Sequence, residues 1–221
     1  MTNINQPYRQ LNIDVSSAIR KDFSLQHLGT GERTWVWAFN ENDISKMFNL
    51  GWLEYVKKLN IHPSLGLIFY RPGITEYNDP PHIDGTTGNK LIPRTYGINW
   101  ILDLDIVYGK EKNPCPDYLD EADMVWFSNN YDRAFANSKN QASPDRPTPY
   151  ITSEYIHSEK TEIARVKLQT GVFLVQTNVP HNIENLIDRP RLSITLRNTA
   201  IDNNKLDWQE IVEFYKDLII D

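Results

Sequence analysis

Apolar positions along the chain follow two different spacings. Near the start and at the end of the chain they recur every three to four residues, which is the period of an amphipathic helix. This spacing predicts one helix over about residues 43–59 and a second over about residues 208–220. At the start of the second helix Asp207 and Glu210 are three positions apart, an arrangement typical of a capping box. Two helices are therefore predicted to flank the rest of the chain.

In the long stretch between these helices, the apolar residues are instead grouped in short segments. Its short segments are rich in β-branched and aromatic residues and are separated by Gly, Pro, Asn or Asp, which is typical of strands. No regular alternation of strands and helices is seen, which disfavours a doubly wound parallel sheet. We predict a mainly β fold with flanking helices, and eight core segments suit a double-sheet jelly roll, the cupin-like architecture. The core strands are predicted over about residues 65–70, 80–84, 96–104, 122–127, 150–157, 161–169, 172–177 and 191–198, with a further strand over 34–39.

One segment, about residues 108–150, interrupts the succession of strands. Its prolines are clustered and most of its residues are polar, apart from an apolar island over 124–127. Long loops in compact domains are commonly functional or disordered. We interpret the segment as an insertion into a single domain, residues 1–221, whose core spans about 65–198. Its interleaved aromatic and charged residues predict a substrate-recognising lid, with a surface loop as the alternative.

Composition and charge narrow the class of protein. Asp plus Glu outnumber Lys plus Arg by 29 to 23, and a net charge of −6 argues against a fold-wide nucleic-acid surface. Cys115 is the single cysteine, which excludes an internal disulfide and favours an intracellular, cytoplasmic setting. No segment resembles a signal peptide or is apolar enough to span a membrane. We expect a small-molecule or peptide partner, and the sequence leaves the oligomeric state open.

Candidate chemistry begins with His82 and Asp84, two positions apart on a predicted strand. Side chains at i and i+2 of a strand lie on the same face, so an imidazole and a carboxylate can converge on one ion. A second histidine would complete two nitrogens and one oxygen, the facial triad of non-haem iron(II) oxygenases. A His-x-Asp pair also recurs by chance or as a hydrogen-bonded pair, so the interpretation depends on the second histidine.

His181 is the candidate for that second ligand because of the segment that follows it. Residues 185–190 are turn-prone, so His181 and Arg191 are predicted to lie on adjacent antiparallel strands. His157 is the alternative ligand, but no Arg-x-Ser pair follows it.

The strand over 191–198 carries Arg191, Ser193 and Thr195 on one face. A buried face of this composition is costly unless it binds an anion. The planar fork of an arginine matches a carboxylate, and a serine hydroxyl adds a third donor. We therefore predict a dicarboxylate that chelates the metal at one end and meets Arg191 and Ser193 at the other. The alternative is a solvent-facing row on an outer strand.

Together these motifs resemble the iron(II)- and 2-oxoglutarate-dependent dioxygenase superfamily, over about residues 65–198. The matching pattern is His82-x-Asp84, His181 and Arg191-x-Ser193. The resemblance implies a double-stranded β-helix and oxidative decarboxylation of 2-oxoglutarate to succinate and carbon dioxide. That reaction would be coupled to dioxygen-dependent hydroxylation of a C–H bond in a peptidyl side chain or an amino-acid-like small molecule.

The resemblance also implies a role for each residue. The implied iron(II) ligands are His82, Asp84 and His181, and the implied 2-oxoglutarate residues are Arg191, Ser193, Tyr70 and Asn99. Tyr70 resembles a tyrosine of prolyl-hydroxylase-like members, whereas the strand of Asn99 is more similar to aspartyl/asparaginyl-hydroxylase-like members. Prolyl hydroxylases usually have lysine where Arg191 stands, so prolyl specificity is not implied.

Three other functions stay open at this point. They are a cupin-like metal-binding protein without oxygenase activity, a structural jelly roll with an incidental metal site, and an oxygenase that dealkylates nucleic-acid bases.

Trp100 and Trp126 are predicted to be core residues, with a place in a substrate pocket as the alternative.

Overall fold

In the computed structural model of the protein, the described residues form two antiparallel sheets, and helices pack against one of them. The structure describes residues 6–15, 17–20, 35–71, 81–86, 92–93, 95–101, 123–128, 138–140, 151–154, 161–169, 171–184, 191–198 and 205–220. The predicted mainly β class with flanking helices is confirmed. Among the described helices, none is long and apolar enough to cross a membrane.

The fourteen strands of the described residues fall into two sheets of seven. In chain order they are β1 (Tyr8–Leu11), β2 (Trp35–Asn40), β3 (Pro63–Arg71), β4 (His82–Thr86), β5 (Ile92–Pro93), β6 (Tyr96–Ile101), β7 (Asp123–Phe127), β8 (Ser138–Asn140), β9 (Ile151–Glu154), β10 (Glu162–Lys167), β11 (Gly171–Gln176), β12 (His181–Glu184), β13 (Arg191–Asn198) and β14 (Ile219–Ile220). The first sheet has the order β14-β1-β11-β6-β13-β3-β2. The second has the order β10-β7-β12-β4-β9-β8, with β5 paired to β4.

The predicted strands are present within two residues at every end that the structure describes. The extra strands β1, β5, β8, β12 and β14 have no more than four residues each, too few to show a periodic pattern. β7 lies inside the predicted insertion, residues 108–150, yet it is fully buried and pairs with both β10 and β12. The range is therefore not one continuous loop. Most of its other residues lie outside the described residues, so the lid stays a prediction.

The first predicted helix is in fact two helices, α1 (Glu41–Met47) and α2 (Leu50–Lys58). Asn49 between them is extended, and its side chain accepts a hydrogen bond from the Gly51 N–H at 3.0 Å, which caps the start of α2. Apolar spacing could not reveal the break, because buried positions continue on one face from Met47 to Trp52.

The second predicted helix ends earlier than expected. α3 (Trp208–Phe214) begins with the predicted capping box, in which Asp207 accepts from the Glu210 N–H at 2.9 Å and Glu210 accepts from the Asp207 N–H at 2.8 Å. After Phe214 the chain forms a 3₁₀ turn and then β14, which pairs with β1. The apolar positions near the end of the chain thus belong partly to a strand.

The core has two parts, one on each face of the first sheet. The part of the core between the first sheet and the helices includes Ile98, Trp100, Val172, Leu174 and Ile194 from the sheet and Trp52, Val56 and Ile211 from the helices. The side chains between the two sheets include Ile101, Phe173 and Val175 from the first sheet and Met124 and Trp126 from the second. The candidate ligands lie on the second sheet, on the face that borders this second part of the core.

Candidate metal centre

Three side chains from two paired strands meet at one point. β4 carries His82 and Asp84, β12 begins at His181, and the two strands pair with His82 directly opposite His181. The potential ligand atoms of the three residues all lie within 4.8 Å of one another. The strand period predicted the pairing of His82 with Asp84, and the sheet brings His181 to them.

The three side chains differ in their access to solvent. The His82 and His181 ring centres are 4.7 Å apart, and His82 Nε2 lies 3.6 Å from Asp84 Oδ1. The side chains of His82 and Asp84 are 24% and 18% exposed, whereas His181 is only 4% exposed. The site is therefore buried at the His181 end and accessible at the other, so a ligand can approach from one side.

The surroundings of His181 keep it neutral and oriented. Burial, followed by the nearby His82, lowers the pKa of His181 from 6.5 to about 4, although Asp84 and the Val179 carbonyl oppose this change. The Nδ1 atom lies 2.8 Å from the Val179 carbonyl oxygen. Because a carbonyl can only accept, Nδ1 must carry the hydrogen, which leaves the lone pair on Nε2. A neutral imidazole fixed through its other nitrogen is what a metal ligand requires.

The lowered pKa of His181 predicts how the metal-free protein responds to acid. Between pH 6.5 and about 4 the unfolded chain binds a proton at His181 that the folded chain does not. The contribution of His181 to the free energy of unfolding should therefore be complete above pH 6.5 and fall by about 3 kcal/mol on acidification to pH 4. Urea titrations of the wild type and of His181→Gln across this range isolate the contribution. Protonation of His181 near pH 6.5 in an NMR titration would contradict the prediction.

An ion-pair network on the outer face of the second sheet ties β12 to its neighbours. Arg165 on β10 donates to Asp123 on β7 at 2.9 Å, to Glu184 on β12 at 2.9 Å, and to Glu162 at 2.6 Å. The hydrogen bonds to Glu162 and Glu184 raise the pKa of Arg165, and the bond from Arg165 lowers the pKa of Glu162. The strand that begins with His181 is thus held at its other end by charge-assisted hydrogen bonds.

His181 and Arg191 do not lie on adjacent strands, so that prediction is wrong. β12 pairs with β4 and β7 in the second sheet, whereas β13 pairs with β3 and β6 in the first. The turn-prone composition of residues 185–190 predicts adjacent antiparallel strands, but β12 and β13, on either side of it, belong to different sheets. The turn-prone residues themselves lie outside the described residues.

β13 nevertheless runs along the sheet that faces the site. It is an inner strand, and Ile194 packs in the core beneath the helices. Strand alternation therefore assigns positions 193 and 195 to the row that faces the second sheet. Asn99 lies opposite Thr195, and Ile101, opposite Ser193, packs between the sheets. The predicted row of polar positions thus shares a face with Asn99.

The backbone register does not support Tyr70 as a partner of Arg191. Tyr70 lies opposite Leu192, and it is Arg71 that lies opposite Arg191. Arg71 was not singled out from the sequence, although it stands next to Tyr70. His157, the alternative to His181 as the second histidine ligand of the metal, lies outside the described residues.

The two tryptophans fall on different faces. Trp100 is buried with the helix-facing core, so its interpretation as a core residue is confirmed. Trp126 is buried between the sheets and lies directly opposite His181 on the neighbouring strand. Trp126 thus combines a core position with a place beside a candidate ligand, a combination that sequence periodicity does not reveal.

Comparison of the chain with protein-family models gives no match, and comparison with curated proteins gives none either. The chemistry of the three converging side chains is therefore the basis for a functional assignment. It offers two imidazole nitrogens and one carboxylate oxygen to a single ion.

Proposed function

We propose that this protein is an iron(II)- and 2-oxoglutarate-dependent dioxygenase that hydroxylates a C–H bond. The observation that carries the proposal is the convergence of His82, Asp84 and His181, whose ligand atoms lie within 4.8 Å of one another. The proposed substrate is a peptidyl side chain or an amino-acid-like small molecule, and the proposed products of the co-substrate are succinate and carbon dioxide.

The donor set fits iron(II). Two imidazoles and one carboxylate on one side of an ion form the facial triad, which leaves the opposite positions open for other ligands. His181 is buried and uncharged at neutral pH, so a dication does not have to displace a proton from it. When bound, iron(II) would supply the activation of dioxygen, which amino-acid side chains cannot perform.

The order of strand pairing supports a jelly roll as the scaffold. In the first sheet β3, β13, β6 and β11 are neighbours in that order, and in the second β4, β12, β7 and β10 are. Along the chain these eight strands alternate between the sheets except for β7 and β10, which follow one another in the second sheet. Two four-stranded antiparallel sheets with such crossovers are what a double-sheet jelly roll requires.

The first sheet supplies the proposed site for the distal carboxylate of 2-oxoglutarate. We assign that role to Arg191 and Ser193, with Asn99 on the adjacent strand as a further polar partner. Ser193 is paired with Ile101, which packs in the core between the sheets. In this arrangement the second sheet holds the metal and the first sheet binds the far end of the co-substrate.

The protein's own groups then have three tasks. The imidazoles of His82 and His181 and the carboxylate of Asp84 hold the metal at the edge of the apolar core. The Val179 carbonyl keeps His181 in the tautomer that presents Nε2. The apolar side chains between the sheets, with Trp126 beside His181, exclude water from the buried end of the site.

Succinate release tests the proposal directly. The wild-type protein, loaded anaerobically with iron(II) and ascorbate, is mixed with 2-oxoglutarate and oxygenated buffer in the presence of pools of peptides, amino acids or nucleotides. We expect succinate in amounts that depend on iron(II) and oxygen and rise with a peptide or amino-acid pool. Metal binding without succinate in any pool would contradict the proposal and favour a cupin-like binding protein. Stimulation by nucleotides alone would favour a dealkylating oxygenase.

A further inference from the structure

The segment over residues 176–180, which we call the crossover, connects β11 of the first sheet to β12 of the second. Four of its backbone carbonyls accept hydrogen bonds from residues of the second sheet. The donors are Trp126 Nε1 to Gln176 at 2.9 Å, the Asp84 N–H to Thr177 at 3.0 Å, His181 Nδ1 to Val179 at 2.8 Å and the Phe127 N–H to Pro180 at 2.9 Å. Two of these donors belong to metal ligands, so the crossover contacts both of them.

The crossover is also attached to the first sheet. The Gln176 N–H donates to the Pro7 carbonyl at 2.7 Å, and the Thr177 N–H donates to the Thr95 carbonyl at 3.0 Å. Within the described residues β4 and β12 pair at one position, His82 opposite His181. Strand pairing between them therefore does not fix Asp84 relative to His181. The bond from Asp84 to Thr177 and the bond from His181 to Val179 do so through the crossover.

We propose that Trp126 is a positioning residue for the metal ligands, acting through the crossover. Trp126 is fully buried, lies opposite His181 and donates its indole N–H to the carbonyl at the start of the crossover. Its ring stacks on Tyr8 of the first sheet, with centroids 5.6 Å apart and an interplanar angle of 18°. One side chain thus links β7, the crossover and the first sheet beside a ligand. The inference rests on the metal site of the proposed function but not on its oxygen chemistry.

Loss of the indole N–H should act on metal binding more than on folding. Without that donor the crossover loses one of the bonds that align Asp84 with His181, and three ligands that meet less closely bind a metal more weakly. Replacing an outer partner of a metal ligand typically lowers affinity by about 10–100-fold. We expect an effect near the lower end of this range, about tenfold, because the Trp126 bond acts through one intervening segment rather than directly.

Trp52 is a matched control. Its indole N–H donates to the Asp14 carbonyl at 2.8 Å, and its ring stacks on Phe48 with centroids 5.2 Å apart at 14°. It is 3% exposed and belongs to the core beneath the helices rather than the core between the sheets. Trp52→Phe and Trp126→Phe therefore remove the same kinds of contact, and only one of them borders the metal site.

The test is titration of metal-free protein with Co²⁺, followed by visible absorption, well below the melting temperature of every variant. Trp126→Phe should raise the dissociation constant for Co²⁺ about tenfold and alter the ligand-field bands. Trp52→Phe should lower the melting temperature by a similar amount and leave the dissociation constant and bands as in the wild type. If Trp126→Phe does not fold, a benzothienylalanine at position 126 keeps the ring and its stacking and removes only the N–H donor.

The outcomes separate this inference from the proposed function. A wild-type dissociation constant and spectrum in the Trp126 variants would overturn the positioning role, as would an equal loss of affinity in Trp52→Phe. Failure of the wild type to bind Co²⁺ would overturn both the metal site and the positioning role. Normal Co²⁺ binding by the wild type, with weaker binding after loss of the Trp126 N–H, supports the positioning role even if no succinate forms.

Discussion

Asp84→Ala is expected to abolish metal binding and succinate release. Asp84 is the one anionic member of the three converging residues, and its removal leaves two neutral imidazoles to hold a dication. The affinity for Mn²⁺ should therefore fall by more than the roughly 10–100-fold that loss of an outer partner costs. The side chain is partly exposed at 18%, so its truncation leaves little buried space and the fold should be retained. Calorimetric titration with Mn²⁺, together with circular dichroism, measures both effects.

The two histidine ligands should behave in the same way. His82→Ala and His181→Ala should each remove metal binding, with a larger loss of stability for the buried His181. His62→Ala is the matched control, because His62 is exposed and does not belong to the converging group. Wild-type turnover in any of the three ligand variants would contradict the assignment and would make His157 the next candidate.

Arg191→Ala is expected to raise the 2-oxoglutarate requirement by more than about 30-fold while metal affinity stays unchanged. The reason is that truncation leaves the distal carboxylate without its charged partner, a loss of about 2–5 kcal/mol by analogy with buried charge pairs. Ser193→Ala should cost about 1 kcal/mol, the contribution of one hydrogen bond. The measurement is the dependence of succinate release on 2-oxoglutarate concentration.

Thermal shifts provide an independent check on Arg191. A ligand that binds only the folded protein raises its melting temperature, so 2-oxoglutarate added to the Mn²⁺-loaded protein should raise the melting temperature of the wild type further but not that of Arg191→Ala. Arg71→Ala is an informative comparison, because Arg71 lies directly opposite Arg191. Equal shifts in the wild type and Arg191→Ala would mean that the co-substrate binds elsewhere, and a loss confined to Arg71→Ala would transfer the role to that residue.

The sequence predicted the structure well where the chemistry of the side chains and their spacing along the chain favoured the same arrangement. His82 and Asp84 could be assigned to one face because a strand has a period of two, and the strand over 191–198 was predicted with its observed bounds. The capping box at Asp207 was equally predictable, because it depends on residues only three positions apart.

Features that depend on the partners of a strand could not be predicted in this way. Periodicity indicates the buried face of a strand but not the sheet it joins, which is why His181 and Arg191 were expected on adjacent strands. The break at Asn49 was missed because the apolar face continues across it. The support that Val179 gives to His181 comes from a backbone carbonyl, which every residue possesses and no sequence pattern marks.

The pairing of strands that are distant along the chain has a consequence for folding kinetics. β3 pairs with β13, and β4 meets β12, so His82 and Asp84 meet a third ligand, His181, that lies far from them along the chain. Folds dominated by such non-local pairs fold slowly, on the order of milliseconds to seconds, because long loops must close first. The ligands come together only when this closure is complete. We expect contacts that form after this closure to be absent from the transition state, so a bound metal should slow unfolding without accelerating folding.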